Sequence, residues 1–149
     1  MQGFIISLRK ENYDSIMKSG YSVVGFTSSC KIVEKVEPGD ILIMYLASGI
    51  SKFVGTLRVK EKYYWDTQII WDDIYPKRLK TEPIDILSAD SSIDVRNLKN
   101  DLSFITNKEI KKFGVYFMQG IRKLNTEDFE FLIRCIKKAD MANPLQTKE

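Results

Sequence analysis

Alternating hydrophobic and polar residues at the start of the chain predict a strand followed by a helix. In residues 4–9, FIISLR, every second residue from Phe4 is apolar, whereas the residues between them change from apolar to polar along the segment. This pattern is typical of a half-buried strand. Tyr13, Ile16 and Met17 then share one face at helical spacing. Gly20 suits the end of this helix, because glycine commonly follows the last helical turn.

The middle of the chain predicts a buried strand and an antiparallel partner. A tight turn at residues 38–40, PGD, precedes the apolar run of residues 41–46, ILIMYL. Such a continuous run is typical of a strand that is buried on both faces. After a short hairpin loop, alternation predicts a second strand with Phe53, Leu57 and Val59 on one face.

The remaining pattern predicts one more long strand and a C-terminal helix. Residues 75–87 suit a strand in which Pro83 marks an edge or a bulge, because proline cannot donate a ladder hydrogen bond. Asn125 or Thr126 is expected to cap the last helix. Its buried stripe is predicted to be Phe129, Leu132, Ile133 and Ile136. This order of elements predicts an α+β fold with a curved sheet or a small barrel.

Length and composition predict one domain without a membrane segment. Among the 149 residues we expect a single domain over 1–140 and a frayed tail over 141–149. No apolar run approaches the ~20 residues that span a bilayer, and the start lacks a secretory signal pattern. Cys30 and Cys135 are far apart, as intracellular thiols often are, so a cytoplasmic protein is expected. The Lys- and Ile-rich composition hints at an archaeal or thermophilic source.

The side-chain inventory argues against the common enzyme classes. The chain has no histidine, which removes the usual general base and metal ligand. Neither GxxxxGK[ST] nor GxGxxG occurs and no spacing suits a metal, so no cofactor is expected. Asp66, Asp72 and Asp73 are interpreted as solvated loop residues rather than as an acid/base pair.

Basic residues cluster on two of the predicted strands. They are Arg58, Lys60 and Lys62 on the first strand and Lys77, Arg78 and Lys80 on the second. The formal net charge of +3 is compatible with a polyanionic partner. One interpretation is a ribbon that binds phosphates. The other is the solvent side of a sheet, where lysine protects an edge against pairing.

Both tryptophans lie in one short polar segment, KYYWDTQIIWDD, residues 62–73. Tyr63 and Tyr64 continue the preceding strand and are interpreted as core. Trp65 and Trp71 follow in a polar loop, where no alternation requires a buried ring. Each is either core or a surface on which a flat ligand stacks, and stacking on an aromatic ring contributes about 1–3 kcal/mol per base.

The segment VEPGDILIMYLASGISKFVGTLRVKEKYYWD resembles the EVE domain of the PUA-like superfamily. It has the Pro-Gly-Asp turn, the apolar strand, the short hairpin and a second strand that leads to an aromatic-Asp pair. The segments IDVRNLKNDLSFITNK and MQGIRKLNTEDFEFLI resemble later parts of the family. The resemblance covers about Gly3 to Lys137. It implies a pseudo-barrel of five to six strands with surrounding helices.

The resemblance also implies a binding module rather than an enzyme. EVE domains are similar to YTH domains, in which an aromatic cage holds a methylated adenine flipped out of a nucleic-acid strand. The implied partner is RNA or DNA that carries a modified base. We expect the chain to act as a monomer or weak homodimer.

Matching positions give the candidate site residues. Ser7 and Asn12 fall where the related domains approach the base and backbone. Val24 falls where YTH domains place the first cage tryptophan, with Phe26 as its substitute, and Trp71 best matches the second. The implied base-binding set is Ser7, Asn12, Val24, Gly25, Phe26, Tyr45, Trp65, Trp71, Gln119 and Gly120. Charge suggests Arg58, Lys60, Lys62 and Arg122 for phosphates.

Two alternatives stay open at this point. The same pocket would also suit a free nucleotide or a purine-like metabolite. An enzyme of nucleic-acid metabolism on a PUA-like fold is the other alternative, although no acidic residue in the sequence is singled out as catalytic.

Overall fold

The computed structural model describes residues 1–109, 111–118 and 120–142, which form eight strands and two α-helices. The strands are β1 (Gly3–Leu8), β2 (Val23–Phe26), β3 (Ile41–Leu46), β4 (Lys52–Val59), β5 (Tyr64–Trp65), β6 (Lys77–Ile86), β7 (Ile93–Asp94) and β8 (Ile121–Lys123). The helices are α1 (Lys10–Lys18) and α2 (Thr126–Met141), and short 3-10 turns lie in the connections. The predicted tail lies outside the described residues beyond Ala142.

One curved sheet connects these strands and curls into a half-barrel. Six strands follow the order β2-β6-β4-β3-β1-β8, while β5 pairs with β6 and β7 pairs with β4. β1 and β3 are parallel, and the other pairs are antiparallel. A parallel pair requires a crossover connection, and here that connection contains α1 and β2.

Strand β3 separates two hydrophobic cores. All six of its residues are buried, as its apolar run predicted. Alternate side chains point to opposite faces of a strand, so they enter different cores. Leu42 and Met44 pack with Ile16 of α1 in what we call the α1-side core. Ile43 packs with Leu132 of α2 in the α2-side core.

A β-bulge in β4 changes the predicted alternation. Met44 pairs with Gly55 and Tyr45 pairs with Phe53, so Val54 is the extra residue. A bulge of this kind reverses which face the following side chains occupy. The prediction that Phe53 shares a face with Leu57 and Val59 is therefore wrong: Phe53 lies in the α2-side core and the other two lie in the α1-side core.

A second bulge lies in β6, next to its proline. Thr56 pairs with Asp85 and Leu57 pairs with Pro83, which leaves Ile84 as the extra residue. The predicted strand with a bulge at Pro83 is thus confirmed. The bulge interrupts the ladder where proline has no N–H to donate.

The two helices begin and end close to the predicted positions. In α1, Ile16 is buried, but Met17 is 45% exposed. Met17 is therefore not part of the buried face that the helical spacing predicted. Gly20 follows α1 with φ +74°, a conformation that glycine adopts without strain. Asn125 caps α2 by accepting a hydrogen bond from the Asp128 N–H at 2.8 Å. Neither described helix is long and apolar enough to cross a membrane.

The carboxyl group of Asp140 near the end of α2 predicts a pH-dependent stability. Burial raises its pKa, and the neighbouring Asp85 carboxyl raises it further. The fold therefore favours protonated Asp140, and this contribution is lost as the pH rises through the raised pKa. We expect Asp140→Asn to raise the thermal midpoint at pH 7. The gain should shrink towards pH 3, measured by calorimetry, whereas an equal gain at both pH values would contradict the assignment.

Candidate functional site

A cavity of about 360 Å³ lies between the start of α1, strand β2 and the loop of residues 66–76. This volume is within the range of about 300–1,000 Å³ that is typical of small-ligand pockets. The apolar and aromatic lining is Leu8, Ile16, Val24, Phe26, Trp71, Tyr75 and Met118. The polar lining is Ser7, Arg9, Asn12, Thr27 and Cys30, with the backbone of Gly25 and Gly120.

The structure brings most of the predicted base-binding positions together at this cavity, although they come from separate parts of the chain. They are Ser7, Asn12, Val24, Gly25, Phe26, Trp71 and Gly120. Their role in binding a base stays a prediction, but their position around one cavity is a structural fact.

Strand β2 forms one wall of the cavity and supports the ring of Trp71. Val24 and Phe26 share a face of β2 because side chains alternate along a strand. Gly25 lies between them, and a Cβ atom there would be 2.5 Å from Trp71 Cζ3 and 2.9 Å from Tyr75 Cβ. The lack of a side chain at Gly25 therefore lets the indole lie directly against the backbone of β2.

Trp71 is both a core residue and part of the cavity wall. Only 7% of its surface is exposed, and it belongs to the α1-side core. Its ring meets Tyr75 edge to face, with the centroids 6.1 Å apart. Tyr75 has φ +44°, which is uncommon for a residue other than glycine, and such strain persists only where the surroundings fix it. The loop is therefore held in a defined conformation.

The side chain of Arg78 holds this loop from inside the protein. Arg78 is fully buried, and its guanidinium carbon lies 5.0 Å from the centroid of the Trp71 ring. It donates hydrogen bonds to the carbonyl oxygens of Gln68, of Ile74 at 2.9 Å and of Tyr75 at 3.2 Å. Its Nη1 is also 3.4 Å from a carboxylate oxygen of the partly buried Asp66. One cation thus fixes both ends of the loop and the indole.

Both interpretations of the basic residues on β6, as a phosphate-binding ribbon and as the solvent side of a sheet, are wrong for two of the three residues. Lys77 and Arg78 are buried, because residues 30–34 cover Lys77 and the loop of residues 66–76 covers Arg78. Lys77 is hydrogen-bonded to Glu34, and this bond lowers the pKa of the Glu34 carboxyl. Lys80 alone of the three is exposed.

A polar network joins α1 to the loop that carries Trp71. The Asn12 side chain donates to Asp72 Oδ1 at 3.1 Å and accepts from the Asp72 backbone N–H at 3.3 Å. Arg9 forms an ion pair with the other carboxylate oxygen of Asp72. Asn12 is buried, whereas the Arg9 side chain is 55% exposed. The network therefore fixes an amide in the cavity wall and a cation at the cavity rim.

Ser7 supplies an unsatisfied polar atom to the same cavity. Its backbone N–H donates to the Gly120 carbonyl oxygen at 2.8 Å, which connects the end of β1 to the residue before β8. Its Oγ atom is buried and has no hydrogen-bond partner among residues 1–109, 111–118 and 120–142. Buried hydroxyl groups are normally hydrogen-bonded, so a partner from outside these described residues is expected here.

Two predicted base-binding residues are not part of this cavity lining, and a third lies outside the described residues. Tyr45 is buried in the α2-side core, where it stacks on Phe117 at a centroid distance of 3.7 Å. Trp65 is 58% exposed and lies on the outer strand β5. Gln119 lies outside the described residues. Their assignments stay predictions.

The four predicted phosphate-binding residues are dispersed over the surface. Arg58 pairs with Glu82 at 3.3 Å, and Lys62 pairs with Glu37 at 2.9 Å. The exposed Lys60 directly follows β4. Arg122 is half-buried; it donates to the Tyr116 carbonyl oxygen at 3.2 Å and lies over Phe104. None of the four is part of the cavity lining, and their role stays a prediction.

Sequence reasoning missed several cavity residues. Arg9, Thr27, Cys30, Tyr75 and Met118 line the cavity but follow no periodic pattern. Arg9 had a usable signal, since it lies between two predicted site residues in SLRKEN. Met118 had none, because a methionine in an irregular segment is compatible with core and surface alike; it is 79% exposed. Among the described residues, no cluster of His, Cys, Asp or Glu is placed to hold a metal ion.

Comparison with known proteins finds similarity in structure rather than in sequence. No protein-family model and no curated protein sequence matches the chain. Two solved YTH domains do match. The Mmi1 YTH domain in complex with RNA has a TM-score of 0.63 at 15% identity, covering 94% of this chain and 80% of that chain. The Zygosaccharomyces rouxii MRB1 YTH domain, in complex with N6-methyladenosine RNA, has a TM-score of 0.62 at 13% identity. The match covers 91% of this chain and 87% of that chain.

The human THYN1 protein, in complex with DNA that contains 5-methylcytosine, is a third match. Its TM-score is 0.59 at 9% identity, over 90% of this chain and 96% of that chain. The chain has a PUA-like fold. The predicted fold class, an α+β PUA-like pseudo-barrel of five to six strands with surrounding helices, is confirmed; the sheet is a half-barrel whose main path has six strands. Identities this low establish the fold and leave the role of each residue to be argued from its surroundings.

Replacing Gly25 tests the contact between β2 and Trp71. The Cβ atom of Gly25→Ala would overlap the indole, and overpacking typically costs about 1–3 kcal/mol. We expect a loss of this size in urea unfolding and a shifted tryptophan emission maximum. Gly114→Ala is the comparison variant, because its Cβ would meet no atom within 4 Å and its backbone φ is not positive. If Gly25→Ala cost no more than this variant, the contact would be unimportant.

Replacing Arg78 tests how the loop of residues 66–76 is held. Lysine keeps the charge but lacks the planar set of donors, so Arg78→Lys leaves buried carbonyl oxygens unsatisfied. Each such group costs about 1–3 kcal/mol, and we expect a loss of at least about 2 kcal/mol in the free energy of unfolding. In Arg78→Lys, the amide hydrogen exchange rate should increase in the loop while the rate in β3 is still unchanged. Unchanged exchange in the loop would refute the clamp.

Proposed function

We propose that this chain is an EVE-type, non-enzymatic module that recognises a modified base of RNA or DNA in the cavity beside Trp71. The observation that carries the proposal is the indole of Trp71, which lies against the paired residues Gly25 and Arg78 at a cavity that Phe26 also lines. A base needs a π-surface, polar groups for its edge and cations for the backbone.

The polar groups of the cavity suit the edge of a base. The Ser7 hydroxyl is unsatisfied within the described residues, and it can donate or accept. The Asn12 amide is held in a fixed orientation by Asp72, so it presents a defined pattern of donor and acceptor. Arg9 at the rim is charged and more than half exposed, which suits a phosphate next to the bound base.

The apolar part of the lining favours a base that carries a methyl group. Val24, Phe26 and Trp71 are buried hydrophobic residues, and a methyl group placed against them would displace water from apolar surface. Burial of one such group contributes about 0.8 kcal/mol. Structural neighbours of this chain are binding domains in complex with methylated RNA or DNA, which supports the same class of ligand.

A second candidate is a protein that binds a free nucleotide or a purine-like metabolite in the same cavity. The observation that favours it is the position of the predicted phosphate-binding cations. None of these four residues lines the cavity, which suits a small ligand that is bound by the cavity lining alone.

Titration with short single-stranded oligonucleotides tests the proposal. The probes are RNA and DNA pentanucleotides with N6-methyladenine or 5-methylcytosine at the centre, beside their unmethylated counterparts. We expect one methylated probe to bind most tightly. Trp71→Leu keeps an apolar side chain but removes the π-surface. We expect this variant to bind the methylated probe about 5- to 100-fold more weakly, as expected for loss of base stacking. Circular dichroism confirms that the variant is folded.

Phe53→Leu is the matched control for an aromatic residue away from the cavity, and it should leave affinity unchanged. The salt dependence separates the two candidates. Contact with a single strand gives a slope of about −0.7 in log K against log salt for each phosphate neutralised. Binding of the free modified nucleotide as tightly as the pentanucleotide would support the metabolite candidate. Equal binding of every probe, unaffected by Trp71→Leu, would refute base recognition in this cavity.

A further inference from the structure

The side chain of Trp65 is an aromatic surface outside the cavity. It is 58% exposed, whereas tryptophan is usually well buried on average. The ammonium group of Lys77 lies 5.6 Å from its ring centroid, and Tyr63 meets its edge at 6.5 Å. Lys77 therefore covers one face of the indole, and the exposure leaves the opposite face open to solvent.

This surface is held firmly by the sheet. Trp65 pairs with Lys77 of β6, and Lys77 pairs with Phe26 of β2 on the other side. Directly paired residues share a face, so these three side chains form a row across three strands. Lys77 is anchored by Glu34 and by the Cys30 carbonyl oxygen, to which it donates at 2.9 Å.

The row ends at the cavity. Phe26 and Cys30 both line the cavity, and both are direct neighbours of Lys77. Along this row, only Lys77 lies between Trp65 and Phe26 of the cavity wall. Neighbouring bases of a single strand commonly stack on successive aromatic side chains, so an exposed indole in the row that begins at the cavity wall suits the base that follows or precedes the one in the cavity.

We propose that Trp65 is a second stacking site, which binds the unpaired base adjacent to the modified base. The proposal rests on the proposed function, and it makes the substrate a single strand or an unpaired segment rather than a continuous duplex. The open face of the indole accepts any base, because every base has a π-face. Trp71 then recognises the modified base, while Trp65 adds affinity without selecting sequence.

The charges around strand β5 favour a nucleic acid as the occupant. Lys62 and Lys80 are exposed, and the Lys80 ammonium lies 5.6 Å from the ring of Tyr64, the residue before Trp65. Their ion pairs with Glu37 and Glu61 are solvent-exposed, and such pairs contribute little to stability. A phosphate can therefore replace either carboxylate at small cost.

The test compares two pentanucleotides that differ only in the bases beside the central modified base. One carries natural flanking bases, and the other carries abasic sites, which keep the phosphates but remove the stacking surface. The central base is the methylated base that binds most tightly in the titration above. We expect the wild-type protein to bind the natural probe about 5- to 100-fold more tightly than the abasic probe. In Trp65→Ala this difference should disappear.

Two comparison variants identify the contribution of the ring. Trp65→Phe keeps an aromatic face and should retain most of the difference between the probes. Ile69→Ala removes another exposed apolar side chain of the adjacent loop, 70% exposed, and should change nothing. A 2-aminopurine base placed on either side of the modified base should lose fluorescence on binding to wild-type protein and keep it with Trp65→Ala.

The outcomes separate this inference from the proposed function. If Trp71→Leu weakens both probes but Trp65→Ala leaves their difference intact, the second stacking site is refuted and the proposed function stands. An equal effect of Trp65→Ala on both probes also refutes it. If Trp65→Ala has no effect on either probe, the second stacking site is refuted, and the exposed indole is available for a protein partner instead. If Trp71→Leu has no effect on any probe, the proposed function itself fails.

Discussion

The buried guanidinium of Arg78 is the interaction on which the candidate site depends. A loop of irregular backbone has carbonyl oxygens that need donors, and here one side chain supplies them from beneath the loop. The same cation lies against the indole of Trp71. A charge buried at such depth is stable only when it is fully hydrogen-bonded, so the loop and the cation require each other. The shape of the cavity wall follows from this mutual requirement.

Two different kinds of element build the cavity, and they contribute different properties. The strands supply walls of fixed spacing, with Ser7 at the end of β1 and Phe26 at the end of β2. The loop and the start of α1 supply the groups that approach a ligand from the side, joined through Asn12 and Asp72. The rigid part sets the depth of the cavity, and the network between α1 and the loop sets its width.

The sequence predicted the regular parts of the fold well, because apolar periodicity reports burial directly. The continuous run of β3 and the proline of β6 both led to correct predictions. The alternation in β4 failed at Phe53, since a bulge reverses the faces and no local signal besides Gly55 marks it. The lysine and arginine that begin β6 were interpreted as surface residues, because a sequence does not show which carbonyl oxygens will surround a charge. The resemblance to a family, rather than any pattern, located the residues of the cavity.

The division of the interior by β3 has a consequence for how such a protein changes over time. Side chains on one face support the cavity, and side chains on the other pack against α2. Substitutions that reshape the cavity therefore fall in a different core from the one that anchors α2. The cavity can change in shape over time while the other half of the interior keeps the chain folded. The sequences of proteins with this fold are therefore expected to diverge until only the backbone structure remains similar.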